Sequence, residues 1–176
     1  LLPSCETAAK EPGSPVRSLA VESDPNGGVR AIATLLFSAP PDLIQSLLTD
    51  YPKWPELFEV RMRVAGVQER QGKVVTDLYI EHTLMPGERR LVCESKALPD
   101  GGLVTDLKSG DFKRYHRVWR LWAADGGMQT KADFELLVQV ETIVPDWLIA
   151  MALRRELEAH FKIVQERASE RMKTEK

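Results

Sequence analysis

Cysteine, histidine and long apolar runs are scarce in this sequence, and each shortage removes a class of protein. The two cysteines fall in unlike settings, Cys5 in a polar tail and Cys93 inside an apolar strand pattern, so no disulfide framework is expected. His82, His116 and His160 stand too far apart for zinc or haem spacing, and neither a metal nor a cofactor is expected. No apolar stretch approaches the roughly 20 residues that cross a bilayer as a helix. Neither sign of charge is in excess, since 24 Lys and Arg against 26 Asp and Glu leave a net charge of −2. That balance offers phosphate backbones no general attraction and argues against a nucleic-acid partner. Paired inward carboxylates, a Ser-His-Asp set and a glycine-rich phosphate loop are missing too, so no catalytic residue is assigned.

What is present is an ordinary globular composition. With 176 residues, 43% of them hydrophobic and 28% charged, the chain is long enough for one domain that buries roughly two thirds of its unfolded surface. Residues 1–15 read as a polar tail, 16–173 as the domain and 174–176 as a short end. Leu2-Pro3-Ser4-Cys5 before a polar stretch resembles the end of a bacterial lipoprotein signal. Two readings of the tail follow: a tether anchored to a membrane through a lipidated Cys5, or a disordered tail on a cytoplasmic protein. A monomer is expected.

From Val16 onward short β-type runs dominate. Val16 to Val21 and Val29 to Phe37 flank the turn Asp24-Pro25-Asn26-Gly27-Gly28 and read as an opening strand or hairpin. Pro40 and Pro41 then start a helix that carries Leu43, Ile44, Leu47 and Leu48 at helical spacing. Tyr51 to Phe58 holds two prolines and predicts a second, kinked short helix or loop. Nearly ninety residues of period-2 alternation follow, the mark of antiparallel strands with one buried face. Their turns are expected at Gln71-Gly72, Met85 to Glu88, Pro99 to Gly102, near Gly110, and at Asp125 to Gly127. From Pro145 to about Met172, Ala150, Leu153, Leu157, Phe161, Val164 and Ala168 recur three or four apart, giving a helix of about 42 Å whose apolar stripe needs the sheet as its partner.

This order of elements resembles the START-like (SRPBCC) helix-grip superfamily over about Val29 to Ala168. Leu48-Thr49-Asp50-Tyr51-Pro52-Lys53-Trp54-Pro55 is similar to the stretch after the first helix in its polyketide cyclase/dehydrase and coenzyme Q-binding branch. Ser109-Gly110-Asp111-Phe112, Trp119 and Pro145-Asp146-Trp147 are similar to that branch as well, although many relatives have proline where Asp111 stands. The resemblance implies an α+β fold: a curved antiparallel sheet of about seven strands gripping a long C-terminal helix, with two short helices after the first strand. It also implies a cavity between sheet and helix that takes a hydrophobic molecule such as a lipid, a quinone or a polyketide.

Within that frame, period 2 turns Tyr115 and Arg117 to the same face as Trp119. Arg117 then either holds a carboxylate or ligand head group inside the cavity or reaches water at the rim. His82 shares a face with Leu78 and Ile80. Phe134 and Leu136 on the last strand, with Leu153, Leu157 and Phe161 on the long helix, complete the expected ligand-binding wall, and Tyr51 and Trp54 are expected at its entrance. The reading that follows is noncatalytic binding or carriage of a hydrophobic small molecule. A cyclase/dehydrase-type enzyme and an interaction domain with a filled cavity are the alternatives.

Overall fold

The computed structural model describes residues 13–175. The expectations attached to Cys5, and to most of the tail, lie outside those residues.

Eight strands form a single antiparallel sheet: β1 (Val16–Ser23), β2 (Val29–Phe37), β3 (Arg61–Arg70), β4 (Lys73–His82), β5 (Met85–Ala97), β6 (Gly102–Gly110), β7 (Phe112–Ala124) and β8 (Gln129–Val140). Their spatial order is β1-β2-β8-β7-β6-β5-β4-β3. The sheet thus has the curved, helix-gripping α+β architecture expected, with one strand more than seven because the opening segment is a full hairpin. Asp24 fixes that hairpin's turn. Its carboxylate accepts the Asn26 N–H at 3.0 Å and lies 3.3 Å from both Arg30 and Arg114.

Helix α1 (Pro41–Leu48) and a 3-10 helix over Tyr51–Leu57 connect β2 to β3. Proline at the first position costs α1 nothing, since that N–H has no intrahelical partner. Gln45 on α1 clamps the β5–β6 hairpin, its amide donating to the Gly102 carbonyl at 2.9 Å and accepting the Gly102 N–H at 2.7 Å. Gly102 is required there: its φ is +118°, and a Cβ would come within 2.0 Å of the Trp119 carbonyl oxygen.

One turn falls elsewhere than its composition suggests. The β4–β5 connection is Thr83-Leu84, whereas Pro86 and Gly87 lie inside β5, between the pairs His82–Met85 and Glu81–Glu88. Proline and glycine mark a bulged strand end as readily as a turn.

Helix α2 (Asp146–Thr174) crosses the concave face and is about 44 Å long. Its buried residues Leu157, His160, Phe161, Val164 and Ala168 recur at helical spacing. They meet Ala31, Ala33, Leu35 and Phe37 of β2, Trp119 and Leu121 of β7, and Ala132 and Phe134 of β8, all nearly inaccessible to water.

Candidate functional site

Beside this sealed core, toward the N-terminal half of α2, sheet and helix separate around a cavity of about 180 Å³. Met62, Leu78, Ile80 and Leu91 line it from β3 to β5, Phe112, Leu136, Val138 and Val140 from β7 and β8, and Ile149, Ala152, Leu153 and Leu157 from α2. Trp54 and Phe58 complete the apolar wall. An apolar space of about 150 Å³ is enough to take up benzene. Apart from the Trp54 indole, the polar side chains on this wall are His82, Tyr115, Arg117 and Glu156. A second hollow of about 200 Å³, between the 3-10 helix and the end of α2, is lined by charged residues. Among them Arg171 pairs with Asp50 at 3.6 Å and Arg167 with Glu170 at 3.1 Å, as on a solvated surface.

Arg117 is only 6% exposed and lines the cavity. β7 places it opposite Thr105 of β6 and Leu136 of β8. Its guanidinium carbon stands 4.7 Å from the centre of the Trp54 ring, a cation–π contact. Nη2 reaches the Thr105 hydroxyl only at 3.5 Å, and that hydroxyl is shared with Ser95 at 2.9 Å. Nε is buried without a partner, and no carboxylate of the described residues pairs with the guanidinium.

His82 and Glu156 join the β4–β5 hairpin to α2 at 3.3 Å. The His82 Nδ1 accepts the Leu84 N–H at 3.0 Å, so the ring proton sits on Nε2 and points at the Glu156 carboxylate. Tyr115 packs edge-on to Phe112, and burial pushes its phenol above the usual tyrosine value. Cys93 behaves as a small apolar residue, its thiol pushed up to about 12 by burial.

Of the remaining expected wall residues, Leu136, Leu153 and Leu157 line the cavity. Trp119, Phe134 and Phe161 do not. They pack on one another with ring centres 4.8 to 5.6 Å apart, filling the core next to the cavity with mutual edge-to-face contacts. Tyr51 and Trp54 do not form an exposed entrance either. Both are buried, and the Trp54 indole N–H donates to the Leu48 carbonyl at 3.0 Å, which pins it beneath α1.

His160 is the residue that sequence reasoning passed over. Its position between Leu157 and Val164 on the helix stripe is the signal that predicts burial. Nδ1 donates to the Leu57 carbonyl at 2.6 Å, and Nε2 is buried without a partner. Desolvation pushes its pKa down to about 3, so the ring stays neutral.

No protein-family model and no curated protein matches the sequence. Solved structures do. The Zhui aromatase/cyclase from Streptomyces sp. R1128 superposes with a TM-score of 0.65 at 16% identity, covering 81% of this chain and 94% of that one. A START superfamily protein from Mycobacterium smegmatis gives 0.61 at 16% identity over 80% and 97% of the two chains. A protein from Thermus thermophilus gives 0.62 at 19% identity over 79% and 96%. At such identities the likeness is one of architecture: the chain shares the helix-grip fold of a START superfamily protein and of an aromatase/cyclase.

Proposed function

We propose that the protein binds a hydrophobic small molecule in the cavity between sheet and α2, without transforming it. The observation that carries this reading is the wall itself, to which every contributing element brings apolar side chains and which holds only four polar ones besides the Trp54 indole among the described residues. The volume suits one or two rings, or a comparable piece of an acyl chain, so a quinone ring or an aromatic polyketide fits better than a whole diacyl lipid.

A cyclase/dehydrase-type activity is the second reading, favoured by the likeness to an aromatase/cyclase and by the His82–Glu156 pair on the wall. It requires turnover of a polyketide-like substrate that is lost in Glu156→Gln.

Thermal unfolding with 2-acetylnaphthalene tests the binding reading. At a hundredfold excess over Kd the native state gains about 2.7 kcal/mol, roughly 5 to 10 °C for a domain of this size. Ala152→Trp, which places an indole in the cavity from α2, should abolish the shift. A wild-type protein whose melting point does not move with any one- or two-ring probe is not a binder of this kind.

A further inference from the structure

Resting on the reading of the cavity as a ligand site, we infer that the ligand is an organic acid whose carboxylate is held by Arg117. A guanidinium cannot shed its proton in a protein, so burial leaves it charged whatever surrounds it. Here it is more than nine-tenths buried, its Nε has no partner, and its one bond, to Thr105, is long and goes to a hydroxyl that Ser95 also engages. Glu156, the only carboxylate on the cavity wall among the described residues, lies against His82 and not against Arg117. Such a charge is costly in the empty protein and is compensated when an anion enters.

The shape of the guanidinium also selects the kind of anion. Its N–H donors lie in one plane, where the two oxygens of a carboxylate fit as a fork. A phosphate dianion is disfavoured: the described residues of the wall include no lysine and no second arginine to neutralise its further charge. A neutral ketone or quinone oxygen would accept a hydrogen bond and leave the charge uncompensated. Tyr115, two residues before Arg117 on the same strand face and on the same wall, offers the carboxylate a further donor.

Isothermal titration at pH 7.5 with 2-naphthoate and with 2-acetylnaphthalene, equal in ring system but unequal in charge, tests the assignment. The wild type should bind naphthoate at least tenfold more tightly than the ketone. Arg117→Met should lose that preference, and without ligand it should melt no lower than the wild type, since an uncompensated charge has been removed. Arg117→Lys keeps the charge without the fork and should lower the ratio of naphthoate to ketone affinity at least threefold, which keeps the test open if Arg117→Met does not fold. A wild type that binds the ketone as tightly as the acid overturns the carboxylate assignment and leaves the cavity reading standing. Naphthoate preference that survives in Arg117→Met removes Arg117 as the recognition group. If neither compound binds the wild type, the cavity reading falls and the inference falls with it.

Discussion

Phe58 and His160 stack face to face, their ring centres 4.0 Å apart and their planes within 4° of parallel. One ring belongs to the cavity wall and the other to α2, so the charge state of the second bears on the packing of the first. Because the folded pKa of His160 is depressed to about 3, the unfolded chain takes up a proton near pH 6.5 that the native state refuses. The stability is therefore complete above about pH 6.5 and declines as pH falls toward 3, by about 1.4 kcal/mol per unit from this residue. Urea denaturation from pH 7 to 4.5 should show this slope in the wild type relative to His160→Gln, whose amide can still donate to Leu57. Parallel pH profiles for the two proteins would show that His160 titrates normally.

The His82–Glu156 contact ties the tip of the β4–β5 hairpin to α2 while contributing little to global stability, because a partly solvated pair is worth at most about 1 kcal/mol. Its effect is local. In His82→Ala the Leu84 amide loses its acceptor and should exchange with deuterium at least tenfold faster, with the melting temperature nearly unchanged. An unchanged Leu84 exchange rate would mean that the hairpin tip is held by the strand ladder alone.

Phe161→Ala separates core from cavity. The side chain is fully buried against Trp119 and Phe134, so its removal should cost about 3 to 5 kcal/mol in urea denaturation. Probe binding, measured below the denaturation midpoint, should change little, since Phe161 is not on the cavity wall. A loss under 1 kcal/mol would indicate that the aromatic cluster collapses into the vacancy.

Gln45→Ala should cost about 1 to 3 kcal/mol, because the Gly102 N–H loses the side-chain acceptor that it finds on α1. Gln45→Glu keeps the acceptor and loses the donor, and should recover part of the difference. Chemical denaturation of the three proteins side by side ranks them, and equal midpoints would show that water replaces the clamp.

The strands and α2 were legible because their periods are simple. Alternation over β8 and three-four spacing over Leu157, Phe161, Val164 and Ala168 each admit one solution once a single core is assumed. The β4–β5 turn was not, since Pro86 and Gly87 satisfy the composition of a turn and of an irregular strand equally. For the site, period 2 gave the direction of Arg117 but not its depth. Depth depends on Trp54, which arrives from the 3-10 helix and whose orientation is fixed by a hydrogen bond to Leu48 that no local pattern announces. The same limit explains Trp119, Phe134 and Phe161: facing inward is a property of a strand or helix, whereas facing a void is a property of three elements at once.

The sheet order has a kinetic consequence. Each neighbouring pair from β3 to β8 is joined by its own hairpin, but the β2–β8 seam brings together residues such as Arg30 and Glu135, 105 positions apart. Loop-closure entropy makes a seam enclosing about a hundred residues roughly 3 kcal/mol more expensive to start than a hairpin of about four. The β1–β2 hairpin and the β3–β8 meander are thus the units that assemble locally, and the seam between them is the late step in refolding. Until it closes, β2 and β8 each present an unpaired edge to other chains, so concentrated refolding exposes the protein to association through those two strands.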